Sequence, residues 1–300
     1  MSHTRPREAS ESSSDYTDKS EDDGSDVDLG GVEADADLVN VDLEFYDPSE
    51  IDYHGLKMLL RSLLDGEEFQ GCSDLVDAII RQKSVGTVVK TAETDDPIGI
   101  ATVLNLSRHS TLGGLKELTQ FILKQCPGKE LRVKLEGVLH SDGAGLVINE
   151  RLLNCPPQLA SPLHHSLFDE EIPWAVKDEP TEELRESFKF KGYLFISRVY
   201  RDNLSEDIHT SAQPGKPKKR QKVQAEGSPQ PVIVYTRPED EFYHKHSQWS
   251  FLFPITNRPV RKDELQPLRL VMWLDAAAAR AGRLELYKVV GNVAIGQEPE

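Results

Sequence analysis

Residues 193–200, Tyr-Leu-Phe-Ile-Ser-Arg-Val-Tyr, form the strongest β-strand pattern in the chain. Aromatic and β-branched side chains dominate this segment, and they favour a pleated surface that is packed on both sides. The segment therefore predicts a buried strand. Weaker patterns predict a half-buried strand at 39–46 and further strands at 85–90, 98–104, 146–148, 232–235, 249–253 and 268–274.

Helical patterns lie between these strands. Five leucines repeat at the spacing of one helix face and stop at Asp65-Gly66: Leu56, Leu59, Leu60, Leu63 and Leu64. Ser73 can cap a second helix, and apolar spacing or proline positions predict more helices near 115–122, 131–139 and 156–168 and after Pro180 and Pro238. Strands that alternate with helices and helix pairs predict a layered α/β fold, a mixed sheet with flanking helices.

The acidic charge of the chain lies mainly at its start. The chain has 51 acidic and 35 basic residues, but residues 1–47 alone hold 15 acidic and three basic ones. Residues 1–38 have almost no large apolar side chains, so they cannot bury enough surface to offset their ordering entropy. We predict a disordered acidic tail at 1–38 and one α/β domain at 39–300. The tail is interpreted either as a solubilising segment or as an electrostatic decoy for a basic partner.

A polar segment at 202–229 interrupts the domain. Its length and its prolines predict a disordered, exposed insertion. It contains five basic residues within seven positions, which is typical of a nuclear-import signal: Lys216, Lys218, Lys219, Arg220 and Lys222. The alternative is a solvated basic loop. Because no aromatic residues are interleaved with these cations, the segment does not favour specific nucleic-acid recognition.

The sequence lacks the patterns that are typical of disulfide frameworks, membrane spans and metal or catalytic sites. Three widely spaced cysteines argue against a disulfide framework, and no apolar run is long enough to cross a membrane. The pairs His164-His165 and His244/His246 lack the spacing of a metal site, so we expect packing or surface roles. Asp169-Glu170-Glu171 is interpreted as a charged loop. We predict no catalytic residue, metal or cofactor.

One glycine motif comes close to a cofactor site. Acetyltransferases of the GNAT type bind the acetyl-CoA pyrophosphate on backbone N–H groups at a helix start, through [QR]-x-x-G-x-[GA]. Residues 140–145, His-Ser-Asp-Gly-Ala-Gly, have the glycines but begin with histidine. A strand pattern follows where a helix is needed, and Asp142 would repel a pyrophosphate. The motif therefore argues against acetyl-CoA binding.

The segment 149–158, Asn-Glu-Arg-Leu-Leu-Asn-Cys-Pro-Pro-Gln, resembles a signature of the BCCIP family. The residues that carry it are Asn149, Glu150, Arg151, Asn154, Pro156, Pro157 and Gln158. The acidic start, the strand at 193–200 with its insertion, and residues 239–243 and 267–272 fit the same family. The resemblance covers roughly residues 38–275, and no structure is predicted for 276–300. The signature has two interpretations, a structural junction or a contact with a partner.

Membership would imply a GNAT-like fold without a usable acetyl-CoA site, and a nuclear protein. Fungal members of the family look like chaperones for a large-subunit ribosomal protein, and they aid nuclear export of a phosphoinositide kinase. Animal members are linked to recombination repair and cell-cycle inhibition. We therefore expect a non-enzymatic nuclear adaptor or chaperone that binds a basic ribosomal protein and import receptors. A repair or cell-cycle scaffold and a GNAT-type acetyltransferase are the alternatives.

Overall fold

Eight strands of the described residues form one mixed sheet. The computed structural model describes residues 42–61, 63–64, 69, 71–201, 232–255, 260–261 and 264–291. The strands are β1 Leu43–Tyr46, β2 Thr87–Thr91, β3 Thr94–Asn105, β4 Ala144–Arg151, β5 Gly192–Arg201, β6 Ile233–Tyr235, β7 Trp249–Pro254 and β8 Gln266–Asp275. Their order across the sheet is β1-β2-β3-β4-β5-β8-β7, and β6 also pairs with β5.

Strand β5, which contains the segment at 193–200, is the centre of this sheet. It pairs with β8 over its full length, from Gly192 opposite Asp275 to Arg201 opposite Gln266. Its other edge pairs first with β4 and then with β6. Its first six residues are all buried, which explains why apolar side chains occupy consecutive positions there rather than alternate ones.

Helices cover both faces of the sheet. Alternate residues of β4 and β5 point to opposite faces, with Leu146 in one apolar core and Val147 in another. The first core includes α1 Tyr53–Arg61, α2 Cys72–Arg81, α3 Gly113–Gln125 and α4 Lys129–Leu139. The second includes α6 Ile172–Asp178, α8 Glu239–His246 and α9 Ala276–Val290; α5 Ala160–His165 and α7 Glu182–Ser187 complete the described helices. The predicted layered α/β class, a mixed sheet with flanking helices, is confirmed.

Several local expectations need correction. Helix α1 ends at Arg61, and Leu63 and Leu64 lie in the turn after it, although both are buried. The N-cap of α2 is Gly71 and not Ser73; the Gly71 N–H donates to a carboxylate oxygen of Glu117 at 2.9 Å. The start of α2 is therefore fixed by a carboxylate from the neighbouring helix α3, and no side chain of the described residues caps its first-turn N–H groups.

The acidic run at 169–171 also differs from the expected charged loop. It belongs to a π-helical turn, Ser166–Glu171, between α5 and α6. Asp169 pairs with Arg283 of α9. The Glu171 carboxylate accepts from the Gly86 N–H at 2.6 Å and is largely withdrawn from water, so burial raises its pKa. These acids therefore join the helical layer to α9 and to the start of β2.

Helix α9 had no sequence prediction. Asp275 caps it, since an oxygen of its side chain accepts from the Ala278 N–H at 2.8 Å. No helix of the described residues is long and apolar enough to cross a membrane. The predicted tail at 1–38 and the predicted insertion at 202–229 lie outside the described residues, so those boundaries stay predictions.

Candidate functional site

A crevice opens where strands β4 and β5 separate. They are the one parallel pair among the described strands, and they pair only over Ala144–Val147 and Gly192–Phe195. Beyond that point β4 continues along β3, while β5 pairs with β6 from Val199 onward. In open α/β sheets, ligands bind outside the carboxyl ends of such parallel strands. This end of the sheet is therefore the first place to look for a site.

Six charged side chains fill the crevice. Glu150 pairs with Arg237 at 3.1 Å and also with Arg198. Arg237 pairs in turn with Asp240 at 3.1 Å, and Arg151 pairs with Glu239 at 2.7 Å. All of these side chains except that of Arg198 are more than nine-tenths buried. Three carboxylates thus meet three guanidinium groups, and the formal charges cancel.

Arg237 occupies the gap between the two strands. One guanidinium nitrogen donates to Glu150, another donates to the Ile196 carbonyl at 3.4 Å, and Nε donates to Asp240. Burial opposes its charged form, but the carboxylates of Asp240, Glu150 and Glu239 outweigh burial and raise the pKa of Arg237. The protein therefore closes the crevice with its own cation.

Asn149 links this network to α5. Its amide nitrogen donates to Glu239 at 2.8 Å and to Nε2 of His164 at 3.1 Å, and its oxygen accepts from Arg151 at 3.3 Å. Nδ1 of His164 bonds the Tyr243 hydroxyl at 2.7 Å. Because Nε2 accepts, we assign the proton to Nδ1 of a neutral ring. Full burial lowers the pKa of His164 to about 4, which agrees with this assignment.

The two acidic neighbours Glu239 and Asp240 respond differently to burial. Burial alone would raise the pKa of Glu239, but the guanidinium groups of Arg151 and Arg237 and the hydrogen bond from Asn149 lower it. Burial raises the pKa of Asp240 to about 6, although Arg237 opposes this shift. Every described carboxylate of the crevice has a cationic partner, so none is presented to a substrate. The arrangement is suited to holding β4, α5 and α8 in one position.

The family signature is divided between interior and surface. Asn149, Glu150 and Arg151 end β4 and belong to the buried network. The turn after them is exposed at Leu152, Leu153, Asn154, Pro156 and Pro157, and Gln158 is half-buried. Residues of the first half thus have structural contacts, and residues of the second half face solvent.

The residues of this region do not fit acetyl-CoA. The glycine motif at 140–145 lies between α4 and β4, so a strand and not a helix follows it. The Gly143 carbonyl accepts from the Lys191 N–H at 2.7 Å, which ties the loop to the chain itself. The turn after β4 leads into a 3₁₀ helix, Pro157–Leu159, but Pro156 and Pro157 have no N–H to offer a pyrophosphate.

The remaining candidate groups have structural partners. No group of three His, Cys, Asp or Glu side chains in the described part of the chain could hold a metal ion. His165 contacts Asp169 at 2.9 Å, His246 contacts Glu285 at 2.8 Å, and His244 bonds Tyr235 and Ser250. The predicted import residues Lys216, Lys218, Lys219, Arg220 and Lys222 lie outside the described residues.

Sequence reasoning missed most of the network. Its members come from β4, α5, β5, α8 and the segment before α8, and partners lie up to 90 residues apart. No spacing pattern connects such residues. The available signals were the signature itself and the acidic run at 239–241, which the resemblance included without assigning a role.

The fold and the site together define a class: an α/β protein whose crevice is closed by internal ion pairs and whose signature turn faces outward. Comparison with known sequences gives the family. The BCCIP family model matches residues 38–243, and the chain belongs to this family. Membership supports an adaptor or chaperone role, and the expected family is confirmed.

Individual relatives agree with this assignment. "Protein BCCIP homolog" of Arabidopsis thaliana is 38% identical over 245 residues, 79% of this chain and 71% of that protein. "Protein bcp1" of Schizosaccharomyces pombe is 30% identical over 259 residues, 84% of this chain and 86% of that protein. The crystal structure of BCP1 from Saccharomyces cerevisiae matches with a TM-score of 0.55 at 21% identity, over 85% of this chain and 91% of that one. The latter match concerns the fold alone, and the expected likeness to GNAT enzymes stays a prediction.

Asn149→Asp tests the structural half of the signature. The change adds a fourth carboxylate to a neutral, buried network and removes the donor to Glu239, so we expect a loss of about 3–5 kcal/mol in the free energy of unfolding. Chemical denaturation measures it. Asn154→Asp, in the exposed half of the same signature, is the matched control and should change stability by less than about 0.5 kcal/mol. Equal effects of the two substitutions would contradict the buried network.

The neutral His164 predicts a pH-dependent difference between the wild type and His164→Gln. The folded pKa of about 4 lies below the ordinary value of 6.5, so the stability that depends on a neutral ring is present above pH 6.5 and is lost as the pH falls toward 4. Only the wild type loses it. The stability advantage of the wild type should therefore shrink by up to about 1.4 kcal/mol per pH unit across this window. Asp240 titrates in both proteins, so its contribution cancels in the difference; a pH-independent difference would contradict the assignment.

Proposed function

We propose that this protein is a non-enzymatic nuclear adaptor or chaperone for a basic large-subunit ribosomal protein, and that it supports ribosome biogenesis, nuclear export and protein transport. The observation that carries the proposal is the uneven distribution of charge along this chain, which belongs to the BCCIP family. The crevice charges cancel within the fold, whereas residues 1–47 hold 15 acidic and three basic residues.

Such a separation suits a basic client. A ribosomal protein carries lysines and arginines that are shaped for RNA phosphates, so before assembly it benefits from a partner that is rich in carboxylates. The closed crevice supports the same proposal. It leaves the described part of this region with paired charges and an exposed turn, which are features of a binding protein.

Affinity purification from nuclear extract with the full chain tests the proposal. At about 100 mM salt we expect a basic ribosomal protein in near-equal amount, and at about 500 mM salt we expect its loss, because screening weakens attraction between exposed charges. The matched control is a chain in which the 12 acidic residues of 1–38 become Asn or Gln. It should retain less client at low salt. Salt-insensitive binding, or retention of recombination proteins alone, would contradict the proposal, and the second result would favour the repair scaffold.

Nuclear residence is part of the proposal, and the basic cluster at 216–222 supports it. A fluorescent reporter fused to residues 210–226 should accumulate in nuclei, because extended Lys and Arg side chains fit the acidic groove of an import receptor. The matched control replaces Lys218, Lys219 and Arg220 by Gln. A reporter that stays cytoplasmic in its unaltered form would contradict this assignment.

A further inference from the structure

The exposed half of the signature borders a groove beside the closed crevice. The turn after β4 presents Leu152 and Leu153, of which 48% and 74% are exposed. They line a groove of about 400 Å³ together with Met58 of α1, which is 65% exposed, and with Pro97. A second hollow of about 230 Å³ shares Leu152 and Leu153 and reaches Arg237 at the mouth of the crevice. The two leucines therefore form an apolar ridge between two hollows, a shape into which side chains of a partner can fit.

The groove is built on fixed structure. The Leu152 N–H donates to the Ile98 carbonyl at 2.9 Å, which ties the turn to β3. Helix α1 packs so closely that a Cβ atom on Gly55 would lie 2.3 Å from the Pro97 side chain. Arg151, before the ridge, is held by Glu239 and Asn149. The exposed leucines thus project from a preorganised frame, which lowers the entropy cost of binding.

The charges around the groove select the partner. Arg151 and Arg198 line both hollows, and Arg237 lines the second one. Glu239, Glu150 and Asp240 already neutralise these three cations from the interior. Asp96 also lines the groove and belongs to the β2–β3 hairpin arm that carries Glu93 and Asp95, and all three acids are exposed. An apolar groove beside an acidic hairpin is complementary to a segment with apolar side chains on one side and cations on the other.

We propose that the Leu152–Leu153 ridge and its two hollows bind a basic, amphipathic segment of a partner protein. Apolar side chains of that segment enter the hollows, and its lysines or arginines face Glu93, Asp95 and Asp96. This inference rests on the proposed function in that it names the face on which a basic client docks, but it is tested without knowing the client.

The probe is a synthetic helical peptide of about 14 Leu and Lys residues with all leucines on one face, paired with a peptide of equal composition whose leucines are scattered. Both peptides carry the same charge, so the acidic tail attracts them equally. Fluorescence anisotropy with the full chain should show about tenfold or tighter binding of the amphipathic peptide. No preference between the peptides would overturn the proposal.

Variants of the full chain test whether the preference for the amphipathic peptide depends on the Leu152–Leu153 ridge. The double substitution Leu152→Asp and Leu153→Asp should abolish the preference for the amphipathic peptide. The triple substitution Glu93→Gln, Asp95→Asn and Asp96→Asn should weaken the binding of that peptide by about tenfold. Val133→Asp on α4 is the control, because Val133 is 67% exposed and lines neither hollow; it should leave the preference unchanged. All these positions are exposed, and matching thermal unfolding curves confirm that the variants fold.

If something other than a partner protein occupies the ridge and its hollows, the same experiments give different results. A dimer of the wild type that the Leu152/Leu153 variant abolishes would assign the ridge to a second copy and overturn the proposal. A preference that appears only after removal of residues 205–229 would assign it to this chain's own basic segment, with the same consequence. Failure of the groove and failure of the proposed function remain distinguishable. If the full chain retains a basic client but shows no preference between the two peptides, only the proposed docking groove is contradicted. If it prefers the amphipathic peptide but retains no basic client from nuclear extract, only the proposed function is contradicted.

Discussion

The cancellation of charge between β4 and β5 is the interaction on which the rest of the structure depends. Taking an ion out of water costs several kcal/mol, and attraction within a pair repays this only when each partner is well placed. Glu150 meets that condition with two arginines, Arg198 from β5 and Arg237 from the segment before α8. Because its partners come from different elements, the sheet, α5 and α8 must be in place together. This buried balance closes the position where a ligand would enter a sheet of this kind.

One consequence is that the family signature lies partly in the protein interior and partly on the surface. Its polar residues Asn149, Glu150 and Arg151 are interior, whereas its apolar residues Leu152 and Leu153 are exposed. This inverts the usual distribution of residue types. The inversion has a physical account on both sides: the polar residues satisfy one another, and the apolar residues form the ridge that we propose as a docking surface.

The layers of the fold could be predicted from the sequence, whereas the centre of the site could not. The strand at 193–200 and the leucines of α1 carry their own periodicity, so local patterns were sufficient for them. The network depends on contacts such as that between Asn149 and Glu239, for which no local pattern exists. The cap of α2 failed for the same reason: the helix begins after Gly71, whose N–H donates to Glu117 of α3, and this contact has no local pattern. Helix α9 is different: its alanines and Asp275 were sufficient evidence for a helix, and the resemblance simply ended before them.

The central position of β5 also has a consequence for biosynthesis. Its long edge is completed by β8, whose residues 266–275 emerge from the ribosome about 70 residues after β5 itself. During that interval a nascent chain has an apolar strand with unsatisfied backbone groups along one side, the kind of edge that recruits other chains. The family match ends at residue 243, before β7 and β8, so a protein shortened to the matched region would keep that open edge permanently.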